Sequence, residues 1–572
     1  MEEFLLWLRQ SQEVSHFAVL YSDVLRYIFP IIAIVILLRC AKSLLRFERE
    51  PEVWAWLTNE KGERYSVTHW ESLVGRSRSC DVILSHPTIS RMHAVLTRYD
   101  DGSWTISDVG SKGGIRVNGK DVQMGVVKFG DKIELAGVEY TLVPITKEQE
   151  RIQASVRTQA GAQSQPVMTL FLLTMFQILA TLQLLLNCDG GIMIVWSFAA
   201  LIMTQWALFL LYTALKRKGF DIECVAFFLC TLGFCVIASS DADALGKQVV
   251  AMLGGVALFL LIGWVLRNME RIMALRYPAA LAGLALLAFN LVFGVEKFGA
   301  KNWVQLGSFS FQPSELVKIC FIFAGASTLQ RLMTKRNLIM FIVYSAAVCG
   351  CLALMSDFGT AIIFFCTFLV IAFLRSGDFA TIGLSLAGTG FAGVLALRFR
   401  PYIKNRVSGW GHVWENALTT GYQQTRAMMC IASGGLFGLG AGSGWLKYVG
   451  ASDTDLVFAF VAEEWGLIMA VLAVLSILML AVFVLRSIPQ GRSSFYSISA
   501  AAAATILLVQ VLLNVFGTVD FLPLTGVTFP FVSNGGSSML CVWGLLAFIK
   551  AADTRQNASF IVSLPPRKGR RR

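Results

Sequence analysis

Four carboxylates crowd residues 450–466 of this chain: Asp453, Asp455, Glu463 and Glu464. They stand at the start of a long apolar run, where an acidic side chain is costly unless it has a task. A carboxylate held beside a hydroxyl can act as a general base. Asp455 falls at a helix start, where the positive end of the helix dipole favours its ionised form. From position alone, an ordinary N-cap is the simpler reading, since Asp and Thr are good caps. Glu463 and Glu464 are consecutive, hence about 100° apart on a helix, so at least one should face the protein interior. Glu315 and Lys318 are three apart and share a helix face, which suits a buried pair beside a cavity. Asp357 fits either a cavity wall or the cap of the next helix. Twelve cysteines without a CxxC pair and five histidines without ligand spacing exclude a zinc centre as the source of chemistry.

The elements that must position these groups are membrane helices. The chain has 572 residues, only 15% of them charged, and a mean hydropathy of +0.63. A soluble chain carries roughly 25% charged residues. Apolar blocks predict spans at 17–39, 167–187 and 191–214, then ten more at 223–239, 247–267, 275–294, 315–332, 338–355, 359–375, 380–398, 456–485, 496–519 and 536–551. The formal charge of +12 sits in alternate loops and in the tail Arg567–Arg572, as the positive-inside rule requires, and does not call for nucleic acid. On that rule the N-terminus and the loops 295–314, 399–455 and 518–535 lie outside, and residues 51–145 and the C-terminus lie in the cytoplasm. The first apolar run reads as a retained anchor, because the N-terminus has neither a cationic region nor a small-residue cleavage site.

Residues 51–145 follow another pattern. Short segments rich in β-branched and aromatic residues alternate with turn signals, Asp101-Gly102 and Asn118-Gly119 among them. This predicts a small all-β sandwich. Gly75-Arg76, Ser90-x-x-His93 and Asn118-Gly119 resemble a forkhead-associated (FHA) domain over about 53–145. The resemblance implies phosphothreonine-peptide binding, with Arg76 and Ser90 on the phosphate and His93 bracing the loop. Lys112 and Asn118 complete the implied peptide site. An arginine fork and a hydroxyl suit phosphate oxygens. The family usually has an asparagine in its S-x-N-G turn. Here the turn is Ser111-Lys112-Gly113-Gly114, and Lys112 offers charge in exchange.

Five blocks of the ten-span region resemble the SEDS family, the FtsW/RodA-like peptidoglycan glycosyltransferases. They are residues 299–319 with Trp303 and a Q-P-S-E-x-x-K element, 356–361 around Asp357, 419–444 with a G-Y-Q element containing Gln423, 523–538 with the S-x-G-G-S-S ending, and 453–466. Asp455 falls on the family's essential aspartate. Asp453 replaces the usual histidine and Leu456 the usual aromatic residue. The expected architecture is a polytopic α-helical membrane protein: a ten-helix SEDS core, about three extra N-terminal spans and a cytoplasmic all-β FHA sandwich. Its parts are an anchor (1–50), the FHA domain (51–145), a linker (146–166), two extra helices (167–218), the glycosyltransferase core (219–552) and a basic tail (553–572).

The resemblance implies polymerisation of lipid II at the outer face of the bacterial cytoplasmic membrane. An acceptor sugar hydroxyl attacks the anomeric carbon of a lipid-linked donor, and undecaprenyl diphosphate leaves. Asp455 becomes the expected base. Glu315, Lys318, Trp303, Asp357 and Gln423 are expected to shape the substrate site, and Arg406 and Lys447 to meet the diphosphate. Asp453-x-Asp455 resembles the D-x-D pattern that holds a divalent ion, Mg²⁺ or Mn²⁺, against a diphosphate. A class B penicillin-binding protein and a phosphothreonine-bearing protein of a Ser/Thr kinase pathway are the implied partners. A lipid II flippase and a non-enzymatic scaffold are the competing readings, since charged residues and glycine breaks within helices also suit a transporter.

Overall fold

In the computed structural model, residues 12–45, 53–69, 71–78, 80–98, 102–152, 166–217, 219–297, 300–306, 309–330, 335–376, 383, 386–388, 390, 409–488 and 493–553 are described. Helix α1 (Gln12–Leu45) precedes a sandwich of eleven strands, β1 (Ala55–Asn59) to β11 (Val138–Pro144). One sheet has the order β2-β1-β11-β10-β7-β8 and the other β4-β3-β5-β6-β9. Strands β1 and β5 (Ala94–Arg98) alternate buried and partly exposed residues, the period of two that turns one strand face to a core. That core holds Leu57, Val74, Leu96, Trp104, Ile133 and Leu142. Asn118-Gly119 forms the tight turn between β7 (Ile115–Val117) and β8 (Lys120–Asp121), both residues at positive φ, as expected of a two-residue hairpin loop.

Helices α2 (Val167–Asn187), α3 (Gly191–Ala214), α4 (Asp221–Ser240), α5 (Leu245–Leu266) and α6 (Met269–Phe293) follow. Strands β12 (Val295–Lys297), β13 (Ala300–Leu306) and β14 (Phe309–Phe311) come next, then α7 (Pro313–Gln330), α8 (Lys335–Leu354) and α9 (Phe358–Ser376). The last helices are α10 (Tyr422–Gly434), α11 (Val457–Glu464), α12 (Leu467–Ser487), α13 (Ser494–Thr518) and α14 (Gly536–Ala551). Among the described residues, eight helices are long and apolar enough to cross a membrane, and α8, α9 and α14 contain shorter apolar stretches. The expected span at 380–398 and the tail beyond residue 553 lie almost wholly outside the described residues.

The three extra helices wrap the first helix of the core. α1 packs on α2, α4 and α12, and α2 and α3 both pack on α4, whose apolar window is wholly buried. Buried polar groups fix this docking. Gln177 on α2 and Gln205 on α3 exchange carboxamide hydrogen bonds at 2.9 and 3.0 Å, and Gln177 also donates to Thr231 on α4 at 3.0 Å. Lys550 on α14 pairs with Glu223 on α4 at 3.0 Å, both fully buried, and Tyr212 on α3 donates to Glu223 at 2.9 Å. In an apolar medium such side-chain bonds select one helix arrangement among many.

Two expectations of the sequence are corrected. The run 456–485, read as one span, is two helices. It breaks at Gly466, whose φ is +93° and where an added Cβ would sit 2.4 Å from Leu436 O. The freed backbone groups are taken by the turn segment that follows α10: Leu439 and Gly440 N–H donate to Glu463 O and Glu464 O, and Leu467 N–H donates to Gly435 O. Broken helices persist at membrane depth only where protein satisfies the backbone in this way. The second correction concerns 295–314, read as a loop, which instead carries a three-stranded antiparallel sheet, β12-β13-β14. Its backbone groups pair with one another rather than with water.

Candidate active site

A cavity of about 440 Å³ is lined by Trp303, Asp357, Asp455 and residues 522–526, with Gln312 and Ser537 at its side. Trp303 comes from β13, which is tied to the corner before α9 by Lys301 N–H donating to Met355 O at 2.9 Å. At that corner Asp357 has two tasks. One oxygen accepts from Thr360 N–H at 3.2 Å and caps α9, and the other accepts from Asn302 at 3.1 Å and Gln312 at 3.4 Å. Asp357 is therefore both a cap and a cavity wall.

Asp455 does not cap α11. The N-cap position is Leu456, without a side-chain cap bond, and the Asp455 carboxylate projects into the cavity wall beside Gly526. A Cβ on Gly526 would lie 3.2 Å from Asp455 Oδ2, and Gly526 has φ +69°. The absence of a side chain there is what admits the carboxylate. The loop that carries Asp455 is held on several sides. Ser533 Oγ donates to Thr454 O at 2.6 Å, and Asn514 Nδ2 donates to Asp455 O at 2.9 Å. Asn534 Nδ2 donates to the Asp453 carboxylate at 2.7 Å. Asp453 does not line the cavity, so Asp453 and Asp455 do not present paired carboxylates to one point. Among the described residues no three His, Cys, Asp or Glu side chains converge as a metal cluster.

The other expected residues are placed as follows. Glu315 and Lys318 form a buried ion pair at 2.6 Å on α7, outside the cavity lining. Gln423 on α10 donates to Gly450 O at 2.8 Å and so props the loop leading to Asp453. Lys447 donates to Gly442 O at 2.8 Å and does not reach the cavity, and Arg406 lies outside the described residues. Among the described lining residues none is cationic. Both Glu463 and Glu464 face inward, each 1% exposed. Glu463 accepts from Trp445 and Leu446 N–H at 2.8 and 2.9 Å, and Glu464 accepts from Ser239 at 2.6 Å. They clamp the loop between α10 and α11 to the helix break.

Sequence reasoning missed Asn514, Gly526 and Asn534. Asn534 sits at the open position of the S-x-G-G-S-S motif, so its partner Asp453 could be found only through space. A signal was present for Gly526 and Asn534, which lie within the 523–538 block, whereas Asn514 lies in none of the five.

At the tip of the sandwich, Arg76 and Lys112 are exposed around Ser90. His93 is fully buried, its Nδ1 accepting from Ser90 N–H at 3.1 Å and its Nε2 donating to Gly114 O at 3.0 Å. That pattern fits the neutral Nε2–H tautomer. Ser90 Oγ accepts from Lys112 N–H at 3.0 Å, which joins the two loops. Cys80 donates to Arg91 O beneath them, and burial pushes its thiol up to about 11, so it is inert packing. Asn118 lies at the far end of β7, its side chain accepting from Lys132 N–H at 3.0 Å. Gly113 meets Ala136: an added Cβ would lie 2.4 Å from the Ala136 Cβ. The missing asparagine of the turn is thus matched by a neighbour that fills its space.

Fold and site together define a polytopic membrane protein with an acidic cavity and an appended β sandwich. The chain belongs to the FtsW, RodA and SpoVE family of cell cycle proteins, whose sequence model matches residues 222–558, and it carries an FHA domain matched at 73–136. It is similar to the peptidoglycan glycosyltransferase RodA of Mycobacterium tuberculosis, 31% identical over 328 residues, which are 53% of this chain and 69% of that protein. The probable peptidoglycan glycosyltransferase FtsW of Coxiella burnetii is 33% identical over 270 residues, 45% of this chain and 72% of that protein. Among solved structures, a chain of a peptidoglycan synthase complex that coordinates polymerization and crosslinking is 26% identical. It has a TM-score of 0.51 and covers 59% of this chain and 98% of that one.

Proposed function

We propose that this protein is a peptidoglycan glycosyltransferase that polymerises lipid II at the outer face of the cytoplasmic membrane. The observation that carries this reading is the meeting of Asp455, Asp357 and Trp303 in one cavity walled by the 522–526 loop. Asp455 accepts the proton of the acceptor sugar hydroxyl as that oxygen attacks the anomeric carbon of the donor, and the lipid diphosphate departs. Asp357 holds the Gln312 and Asn302 amides at the cavity edge and so shapes the acceptor side. The lining supplies acid groups and no cation among the described residues. Arg406, expected to meet the diphosphate, lies outside the described residues; a divalent ion, were one bound, would be held by Asp455 and would supply positive charge to the departing diphosphate.

The geometry of α13 supports this sidedness. Ser494 at its start donates to Glu71 of the FHA domain at 2.9 Å, and Asn514 near its end holds the Asp455 loop. Twenty residues of helix separate these contacts by about 30 Å, one membrane thickness. With the FHA domain in the cytoplasm, the cavity opens outward. The FHA tip binds a phosphothreonine protein through Arg76, Ser90 and Lys112, and a separate class B penicillin-binding protein crosslinks the product.

The test is polymerisation of purified lipid II by the full chain and by Asp455→Asn. Loss of glycan product in the variant is expected. Retained polymerisation would remove Asp455 from the role of base, and transport without polymerisation by the wild type would make the protein a flippase.

A further inference from the structure

Asn514 is 2% exposed on α13, one turn before the helix ends. Its carboxamide nitrogen donates to Asp455 O at 2.9 Å and to Val527 O at 2.8 Å. Both partners are backbone carbonyls, so only the NH₂ side of the amide can serve them, and its orientation follows. Both of its protons are used. Its Oδ1, in contrast, is buried and has no hydrogen-bond partner. A buried acceptor left unmatched is rare and costs stability, so the contribution of this side chain lies in what its nitrogen does.

What the nitrogen does is join two neighbouring loops that both line the cavity. One carries Asp455, and the other carries Gly526 immediately before Val527. The second loop leaves room for the Asp455 carboxylate at Gly526. Other ties reach the first loop at Asp453 and Thr454, from residues 533 and 534 of the end-motif loop. The Asn514 bond ties Asp455 itself to the interior of a helix.

We infer that Asn514 is a positioning residue for the glycosyl transfer: its two hydrogen bonds set the Asp455 carboxylate against the 524–528 loop at the reacting distance. The inference rests on the reading of Asp455 as the base. Asn514 touches no substrate, since it does not line the cavity. Its effect is on the chemical step, where a misplacement of about 1 Å lowers rate about a hundredfold, and not on substrate affinity.

The experiment uses the full chain in detergent with lipid II and compares Asn514→Ala, Asn514→Asp, Asp455→Asn and the double variant Asn514→Ala/Asp455→Asn. Asn514→Asp keeps the side-chain volume but turns a carboxylate toward two carbonyls, so it tests the bonds where the alanine variant fails to fold. The expected result is a fall in kcat, taken per folded protein, of about tenfold or more for each single Asn514 variant, with KM for lipid II within about twofold; the lost buried bonds also lower the melting temperature. Residues acting as one unit are not additive, so the double variant should retain the residual rate of Asp455→Asn. A folded Asn514→Asp with kcat near wild type, or a double variant whose losses multiply, overturns the inference. Wild-type rates in Asp455→Asn would instead overturn the underlying assignment of the base.

Discussion

Asn534 donates twice to Asp453, from its side chain to the carboxylate at 2.7 Å and from its backbone N–H to the carbonyl at 2.9 Å. This double tie gives the unusual aspartate, in place of the family histidine, a local partner. It also implies a position-holding task for Asp453. Asp453→Asn keeps an acceptor for Asn534 and should polymerise lipid II within about threefold of wild type. Asp453→Ala should cost about 1–2 kcal/mol in thermal unfolding. A dead but folded Asp453→Asn in glycan-chain assays would point to a charge role, such as metal ligation.

Gly526 faces the Asp455 carboxylate with φ +69°. Gly526→Ala adds a methyl 3.2 Å from Oδ2 and a left-handed backbone strain of about 1–2 kcal/mol. Activity should fall about tenfold or more with little change in expression. Gel analysis of glycan length against folded protein, measured by size exclusion, checks this.

Glu463 accepts two backbone N–H groups with its two oxygens. Glutamine can serve only one of them and turns an NH₂ against the other. Glu463→Gln should therefore destabilise by about 2–3 kcal/mol, read as a lower melting temperature in detergent. An unchanged melting curve would show that the loop between α10 and α11 is held elsewhere.

In the FHA domain, Gly113→Asn should clash with Ala136, and the added change Ala136→Gly should relieve it. The pair should couple by about 1 kcal/mol in a double-mutant cycle on thermal unfolding. Phosphothreonine-peptide affinity should fall about tenfold or more in Arg76→Ala, the worth of a charge-assisted bond. Titration calorimetry with a phosphorylated peptide and its unphosphorylated form measures this loss of affinity.

If a divalent ion assists diphosphate departure, chelation should lower polymerisation by the wild type, and Mg²⁺ or Mn²⁺ should restore it. Equal rates with and without chelator would assign that task to the protein's own cations.

The sequence by itself determined most of the apolar helices, the β sandwich and four motif blocks that contribute to the cavity lining. Hydropathy over about 20 residues, strand alternation and an Asn-Gly turn are local signals, readable without neighbours. Asp455 could be singled out because its block was recognisable despite the departures at Asp453 and Leu456, although its position alone suggested a cap. Only the tertiary structure decided which acids share the cavity. Glu315 and Lys318 pair outside its lining, Lys447 turns to Gly442, and Glu463 and Glu464 hold a loop. The break at Gly466 was invisible for the same reason: α11 and α12 together read as one apolar run, and the segment that satisfies their freed backbone lies some thirty residues earlier. Apolar patterning specifies what enters the membrane. Which polar groups meet there depends on partners distant in sequence, because in an apolar medium each buried donor and acceptor must find one.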